Sequence, residues 1–392
     1  MKLSNRVLEM EESVTLAANA RAKALAAEGR DILSLTLGQP DFATPKNIQE
    51  AAVASIEDGR ASFYTVASGL PELKDAISDY MKEFYGYAVN RNEVVVGTGA
   101  KFILYAFFTS VINLGDEVII PTPCWVSYVD QVKMVEGTPV TFQTTEENHF
   151  KATVEQLEAA RTDKTKVVLL NSPSNPTGMI YSKEELQAIG NWAVEHEILI
   201  LADDIYGRLV YNGNTFTPIS SLSEAIRKQT IVINGVSKTY AMTGWRVGFA
   251  VGDPEIIGAM AKVISQTTSN LTTVSQYAAI EALTGDQSSI EIMRQAFEER
   301  LNTIYPLLNE VPGFEAIKPQ GAFYLFPNVK KAMEMKGYTD VTEFTTAILE
   351  EAEVALVTGA GFGAPENVRL SYATDLDTLK EAVRRLKAFM EK

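Results

Sequence analysis

The chain has 392 residues, of which 46% are hydrophobic and 22% are charged, proportions typical of a soluble globular protein and unlike those of disordered or fibrous chains. Its formal net charge of −15 argues against nucleic acid or an anionic membrane as a partner, because like charges repel. A single cysteine, Cys124, excludes an internal disulfide, and two histidines are too few for most metal sites or a Ser-His-Asp triad, so we expect a cytoplasmic protein without a metal.

The N-terminal segment, "MKLSNRVLEMEESVTLAANARAKALAAEG", contains acidic residues and regularly spaced Ala and Leu residues. This pattern predicts an amphipathic helix, and it lacks the basic head and continuous apolar run of a signal peptide. No apolar run in the sequence approaches the length that a membrane-spanning helix needs. We therefore expect neither export nor membrane insertion.

Residues 93–251 alternate short apolar runs with longer amphipathic segments, which predicts α/β architecture with a parallel sheet covered on both faces. From about residue 286, a long charged helix and short strands predict a smaller α+β domain that the N-terminal helix joins. The junction is expected inside a continuous helix near residues 275–300. The predicted parts are an arm at 1–45 that also contributes to the small domain, a large domain at 46–285 and a small C-terminal domain at 286–392.

Chemically suggestive residues follow five of the predicted strands. Ligands of open parallel sheets bind outside the carboxyl ends of the strands, so these segments are candidates for one shared site. They are "GTGAK" at 97–101, "TPCW" at 122–125, "SPSNPTG" at 172–178, "DDIY" at 203–206 and "VSK" at 236–238.

Each segment alone also has an ordinary structural explanation. "GTGAK" opens a helix whose N–H groups favour an anion, but Phe102 replaces the third glycine of a dinucleotide fingerprint, and a simple glycine turn fits equally well. Asn175 belongs to a proline turn or presents its amide to a ligand. Asp203 is a helix cap or a buried functional anion. Lys238 is a solvated lysine, or a Schiff-base lysine made available by the apolar strand before it and by nearby Arg246.

Together with "SKTYAMTGWRVGF" and "VRLSYA", these motifs in this order resemble the pyridoxal-phosphate-dependent aminotransferases of fold type I. Within that group the chain is most similar to bacterial aspartate aminotransferases of the class I family, from "ESVTLAANARA" to "LSYATD". The resemblance implies pyridoxal 5′-phosphate as cofactor and a large domain with a mainly parallel sheet covered by helices, plus a smaller α+β domain. It also implies a homodimer with shared active sites.

The resemblance assigns the cofactor contacts residue by residue. Lys238 is expected to form the Schiff base and to move a proton between the substrate Cα and C4′ of the cofactor. Asp203 is expected to pair with the pyridinium nitrogen, Tyr206 and Asn175 to donate hydrogen bonds to the phenolic oxygen, and Trp125 to stack on the ring. The expected phosphate contacts are Gly99, Ala100, Lys101, Ser237 and Arg246, with Tyr64 reaching the phosphate in the neighbouring subunit.

The resemblance also assigns the substrate contacts. Arg369 is expected to bind the α-carboxylate through two hydrogen bonds, with the backbone of Gly38 as a second contact. Lys101 and Ser13 correspond to residues that bind the distal carboxylate in relatives that accept aspartate. Trp125 and Asn175 complete the expected substrate site.

The predicted activity is transfer of an amino group from an L-amino acid, with aspartate favoured, to 2-oxoglutarate in two half-reactions through the pyridoxamine form of the cofactor. An aromatic or broad-specificity aminotransferase is an alternative, because Phe323 and Tyr324 offer space for an aromatic substrate and Cys124 replaces a tyrosine common in the family. A C–S β-lyase shares the fold, the lysine and the carboxylate-binding arginine. A transcriptional regulator built on the same fold is disfavoured, because it needs a DNA-binding extension and this chain is acidic. An NAD-dependent dehydrogenase is disfavoured, because the third glycine of its fingerprint is missing.

Overall fold

A computed structural model describes residues 3–8, 10 and 14–392 of the chain. The strands are β1 Leu33–Ser34, β2 Val94–Thr98, β3 Glu117–Thr122, β4 Thr138–Gln143, β5 Thr165–Asn171, β6 Leu199–Asp203, β7 Thr230–Gly235, β8 Val247–Val251, β9 Tyr324–Leu325, β10 Val354–Ala355, β11 Val357–Thr358 and β12 Val368–Ser371. The helices are α1 Asn5–Leu8, α2 Val14–Ala27, α3 Lys46–Glu57, α4 Pro71–Tyr85, α5 Gly99–Val111, α6 Ser127–Met134, α7 Val154–Ala160, α8 Lys183–Glu195, α9 Glu224–Lys228, α10 Pro254–Thr267, α11 Thr273–Thr284, α12 Ser288–Leu308, α13 Lys330–Lys336, α14 Val341–Ala347 and α15 Leu376–Glu391.

In the described part of the chain, seven strands form the central sheet in the order β2-β8-β7-β6-β5-β3-β4. Strands β3 to β7 pair in parallel, whereas β8 is antiparallel to both β2 and β7. The predicted mainly parallel sheet is confirmed, and β8 departs from it because residues 236–246 are too few for the helical crossover that a parallel neighbour needs. The start of β8 therefore lies beside the end of β7, which places Arg246 near Lys238.

Helices cover both faces of the central sheet. Along β5, Val167 and Leu169 join the core under α5, α6 and α10, whereas Val168 and Leu170 join the core under α7 and α8. Alternate side chains of a strand point to opposite faces, so this strand is buried on both sides. The two-layer cover is typical of parallel sheets, and it leaves the carboxyl ends of the strands as the open edge.

Two smaller sheets lie beside the central one. Among the described residues, β1 pairs in parallel with β10, and β11-β12-β9 form an antiparallel sheet. Helices α12 and α15 pack against each other, and Phe297 and Phe389 belong to the same core. Helix α2 packs against β10 and β11. The division of the chain at residues 45 and 285 stays a prediction.

The expected continuous helix across residues 275–300 is wrong, because α11 and α12 are separate. Gly285 follows α11 in an extended conformation, with φ −82 and ψ −160. Asp286 then accepts a hydrogen bond from the backbone N–H of Ser288, where α12 starts. A glycine, and an aspartate whose side chain binds a nearby backbone N–H, both favour a helix end over a helix interior. In the described residues no helix combines the length and apolar character needed to cross a membrane.

Candidate active site

A cavity of about 380 Å³ lies where the strands of the central sheet end, a volume within the range of small-molecule sites. Its walls come from the carboxyl ends of β5 and β6, the segment after β7, the first turn of α5, and strands β9 and β12. The residues expected at the site that do line it are Gly38, Ala100, Lys101, Trp125, Asn175, Asp203, Tyr206, Ser237, Lys238, Arg246 and Arg369.

Lys238 follows β7 and lines the cavity. Its Nζ donates a hydrogen bond to the carbonyl oxygen of Gly38 and lies 5.8 Å from the ring centroid of Tyr206. Burial, followed by the positive charges of Arg369 and Arg246, lowers the pKa of Lys238 from 10.5 to about 8. Near neutral pH the side chain therefore has far more uncharged amine than an ordinary lysine, and a nucleophilic lysine requires that state.

Asp203 is the last residue of β6 and is only 3% exposed. Its Oδ2 accepts a hydrogen bond of 2.6 Å from the hydroxyl of Tyr128, and its Oδ1 accepts one of 3.3 Å from the N–H of Ile205. Burial raises the pKa of Asp203 to about 6, although the Tyr128 hydrogen bond and the Lys238 charge oppose the rise. A buried carboxylate at the cavity wall needs a cationic partner, which a protonated ring nitrogen would provide.

The first turn of α5 and the side chain of Arg246 form a cradle for an anion. A Cβ placed on Gly99 would lie 2.2 Å from Nη2 of Arg246, so the guanidinium rests directly against the backbone at the helix start. Arg246 adopts φ 58 and ψ 50, a left-handed conformation that costs a non-glycine residue about 1 kcal/mol. The N–H groups in the first turn of a helix have no partner within the helix, and here they lie beside a guanidinium that lines the cavity, a combination that fits a phosphate group.

Arg369 on β12 is a buried cation, 1% exposed, with unused hydrogen-bond donors. Its Nη1 donates to Oδ1 of Asn175 at 3.0 Å, and its Nη2 donates to the carbonyl oxygen of Thr36 at 2.8 Å. Its Nε has no partner among the described residues. A buried cation without an anionic partner is costly, so this guanidinium, which lines the cavity, suits a carboxylate ligand. The contact also occupies Oδ1 of Asn175 and leaves its Nδ2 to donate elsewhere.

Another basic residue, Lys101, lies near the aromatic part of the cavity wall. The Nζ of Lys101 is 4.8 Å from the ring centroid of Trp125, and the Trp125 ring contacts the edge of Tyr128 at 5.3 Å and 84°. Partial burial and the charge of Arg246 lower the pKa of Lys101. The charged residues lining the described cavity are Lys101, Lys238, Arg246, Arg369 and Asp203, so its charge is predominantly positive.

Two predicted site residues do not line this cavity, and a third lies outside the described residues. Gly99 shapes the cradle from behind, through its contact with Arg246. Tyr64 is 90% exposed and lies in a separate surface recess with Phe63. Ser13 lies outside the described residues.

The polar cavity residues that sequence reasoning missed include Tyr128, Thr15 and Gln39. Tyr128 lies on α6 and Trp125 lies just before it, so the contact between their rings depends on the turn that leads into the helix and not on helical spacing. The sequence analysis assigns Tyr324 only to a space for an aromatic substrate, whereas in the structure its hydroxyl lies 2.8 Å from the hydroxyl of Tyr206. Thr15 and Gln39 reach the cavity only through tertiary packing, so no local pattern identifies them.

Comparisons with known proteins agree with this geometry. Residues 30–386 match the family model described as aminotransferase class I and II. The chain is similar to the asparagine–oxo-acid transaminase of Streptococcus mutans, with 78% identity over 391 residues and 100% of both chains covered. It is also similar to the aspartate aminotransferase of Bacillus subtilis, with 52% identity over 392 residues and 100% of both covered.

Solved structures resemble the whole fold. The aspartate aminotransferase of Rhizobium meliloti gives a TM-score of 0.96 at 39% identity, covering 100% of this chain and 99% of that one. The Thermus thermophilus aspartate aminotransferase with maleate gives 0.94 at 37% identity, covering 99% of each. The predicted fold class and enzyme class are confirmed, and the chain belongs to the class I and II aminotransferases, a family that uses pyridoxal phosphate.

Proposed function

We propose that this aminotransferase transfers the amino group of L-aspartate to 2-oxoglutarate. The observation that carries the proposal is the excess of positive charge in the cavity. Arg246 and the start of α5 suit one phosphate, and Lys238 is the nucleophile. Arg369 and Lys101 then remain for the two carboxylates of a dicarboxylic substrate.

The cofactor is proposed to bind with its phosphate in the cradle at the start of α5. Pyridoxal phosphate supplies, when bound, a carbonyl carbon for an amine and a ring that withdraws electrons from the substrate. Ser237 is buried at the cavity wall, and we assign its hydroxyl to the phosphate together with Arg246. Trp125 packs against the ring face. Asp203, which receives the hydrogen bond from Tyr128, holds the proton on the ring nitrogen.

Lys238 is proposed to hold the cofactor first and to act on the substrate afterwards. Its lowered pKa, about 8, gives an amine that is free to attack a carbonyl. With substrate bound, the free Nζ would take the proton from the substrate Cα and deliver it to C4′ of the cofactor, and it would move a proton in the opposite direction in the reverse half-reaction. The hydrogen bond to Gly38 keeps Nζ beside the backbone that we assign to the α-carboxylate.

We propose that the hydrogen-bond donors for the phenolic oxygen and for the α-carboxylate come from neighbouring groups of the cavity wall. Asn175 accepts a hydrogen bond from Arg369 through Oδ1, so its Nδ2 is oriented to donate to the phenolic oxygen. Tyr206 is the second donor. Arg369 binds the α-carboxylate through its free N–H groups, with the N–H of Gly38 beside it.

We propose that Lys101 binds the distal carboxylate of the substrate. Ser13, which lies outside the described residues, is a further candidate for this contact. L-Asparagine is a second candidate donor, because the relative with 78% identity is named an asparagine–oxo-acid transaminase. Thr15 and Gln39 line the cavity, and Oγ1 of Thr15 is buried with no partner among the described residues. Such neutral groups suit an amide as well as a carboxylate.

We further propose a homodimer in which Tyr64 contacts the phosphate of the neighbouring subunit. Its 90% exposure, beside Phe63 at 73%, supports a contact surface, because large exposed aromatic groups that lie together mark interaction sites. Sedimentation at decreasing protein concentration tests the dimer. Tyr64→Phe should weaken cofactor binding but leave the dimer intact. A concentration-independent monomer would contradict this proposal.

We propose the cytoplasm as the location, since the single Cys124 implies no disulfide.

The test of the proposed reaction uses the visible absorption band of the cofactor-loaded protein. L-Aspartate alone should bleach the band, and 2-oxoglutarate added afterwards should restore it. A band that L-asparagine bleaches at a much higher kcat/KM than L-aspartate would favour the amide donor. Release of pyruvate and ammonia from a C–S substrate without 2-oxoglutarate would favour the β-lyase alternative. A band that neither amino acid changes would contradict both proposed donors.

A further inference from the structure

Two buried tyrosines meet beneath the cavity. The hydroxyl oxygens of Tyr206 and Tyr324 lie 2.8 Å apart, and the two residues are 3% and 1% exposed. Tyr206 lies just after the central sheet, whereas Tyr324 lies on β9 of a different sheet. The hydrogen bond therefore connects two parts of the fold at the site itself.

Tyr324 also contacts the groups assigned to the α-carboxylate. Its ring centroid is 4.5 Å from Cζ of Arg369. A Cβ placed on Gly38 would lie 2.6 Å from the Tyr324 hydroxyl oxygen, so the backbone of Gly38 passes directly over this hydroxyl. The same Gly38 accepts the hydrogen bond of Lys238. The Tyr324 hydroxyl thus lies between the Gly38 backbone and the phenol of Tyr206.

The donor of the bond between the tyrosines follows from the number of hydrogens. A tyrosine hydroxyl has one hydrogen to donate and two lone pairs to accept. In the proposed function, on which this inference rests, Tyr206 gives its hydrogen to the phenolic oxygen of the cofactor. The hydrogen between the two tyrosines must then come from Tyr324.

We propose that Tyr324 is a positioning residue that donates its hydroxyl hydrogen to Tyr206 and thereby aims and polarises the Tyr206 hydroxyl toward the cofactor. Hydrogen bonds arranged in a chain polarise and strengthen one another in a buried site. The Tyr206 hydroxyl is consequently a stronger donor than an isolated phenol. This contact stabilises negative charge on the phenolic oxygen and so favours the unprotonated form of the lysine-bound cofactor.

The test is a pH titration of the visible band in the cofactor-loaded protein and its Tyr324→Phe variant. Phenylalanine keeps the ring and removes only the hydroxyl, so the apparent pKa of the band should rise by about half a unit, roughly a threefold change in the ratio of the two forms at fixed pH. Tyr206→Phe should raise it further. In the Tyr206→Phe background, Tyr324→Phe should add no shift.

The matched control is Tyr372→Phe, which removes another buried hydroxyl from the same core, one that lies 3.4 Å from the carbonyl oxygen of Ala322. It should leave the apparent pKa unchanged even if stability falls. An unchanged pKa in Tyr324→Phe with full cofactor content would overturn the inference, as would an equal shift in the Tyr206→Phe background. No visible band in the parent protein would instead overturn the proposed function.

A second variant reaches the same hydroxyl from the opposite side. Gly38→Ala places a Cβ against the Tyr324 oxygen. Because Tyr206 lies on the other side of that oxygen, the hydroxyl should be forced sideways, which breaks the hydrogen-bond geometry and raises the apparent pKa of the band. In the Tyr324→Phe background the hydroxyl is absent and the new methyl group has room. Gly38→Ala should therefore raise the apparent pKa of the band less in that background. Equal shifts in both backgrounds would contradict the placement of the hydroxyl.

Discussion

Replacement of Arg369 by alanine tests the α-carboxylate assignment with a magnitude that follows from the structure. A guanidinium has five N–H donors, and Asn175 and Thr36 each occupy one of them. The free donors include the Nε–H, which has no partner among the described residues. They allow two hydrogen bonds to a carboxylate.

Each hydrogen bond to a charged group contributes about 1.5–3 kcal/mol, so the loss of two in Arg369→Ala should cost about 3–6 kcal/mol of transition-state binding. At about 1.4 kcal/mol for each factor of ten, kcat/KM for L-aspartate should fall by between roughly 10² and 10⁴. The assay is a single-turnover measurement of the visible band over a range of L-aspartate concentrations. The cofactor spectrum should persist, because Arg369 is not assigned to the phosphate.

Arg385→Ala is the matched control. Arg385 is another largely buried arginine, on α15, and it pairs with Asp31, Glu353 and Glu381 instead of facing the cavity. This variant should lose stability but keep kcat/KM within about threefold, a change below 1 kcal/mol. A loss of less than tenfold in Arg369→Ala with full cofactor content would refute the assignment and place the α-carboxylate elsewhere.

Three further predictions concern other residues of the cavity. Asp203→Asn should keep the cofactor but lower kcat by on the order of 10²–10³, because the ring nitrogen loses its anionic partner; a near-normal kcat would place that partner elsewhere. Lys101→Gln should lower kcat/KM for L-aspartate roughly ten- to hundredfold and for L-asparagine much less, because only the carboxylate loses a charge-assisted hydrogen bond; equal losses would contradict its assignment. Because burial and the neighbouring arginines lower the pKa of Lys238 to about 8, the rate at which cofactor-free protein captures pyridoxal phosphate should rise with pH and level off above about 8; a rise that continues to pH 10 would refute the lowered pKa.

The central sheet was predictable because its strands are continuous apolar runs, which leave little ambiguity between strand and helix. The placement of residues that follow these runs, such as Asp203 and Lys238, was predictable too. In a parallel sheet the carboxyl ends of the strands meet at one edge. The antiparallel direction of β8 was not predicted, because it depends on the short connection across residues 236–246. That connection also brings Arg246 to the cavity.

The residues that sequence reasoning missed are those whose role depends on contacts between distant parts of the chain. Tyr128 donates its hydroxyl hydrogen to a carboxylate 75 positions away, and Tyr324 meets Tyr206 at a separation of 118 positions. Periodicity reports which face of an element is buried, but not which buried hydroxyl groups meet. The break at Gly285 was missed for a different reason. Residues 284–289, "TGDQSS", contain no apolar side chain, and the glycine and the aspartate within them are local signals of a helix end that the prediction of one continuous helix did not use.

The most direct test of the account is to identify the residue that holds the cofactor. The cofactor-loaded protein is treated with borohydride, which fixes a lysine-bound cofactor permanently, and its peptides are analysed by mass spectrometry. Lys101, which lines the same cavity, is the internal control. The account predicts the added pyridoxyl phosphate mass on the peptide containing Lys238, and its loss in Lys238→Ala. Modification of Lys101 or another lysine, with Lys238 unmodified, would contradict it.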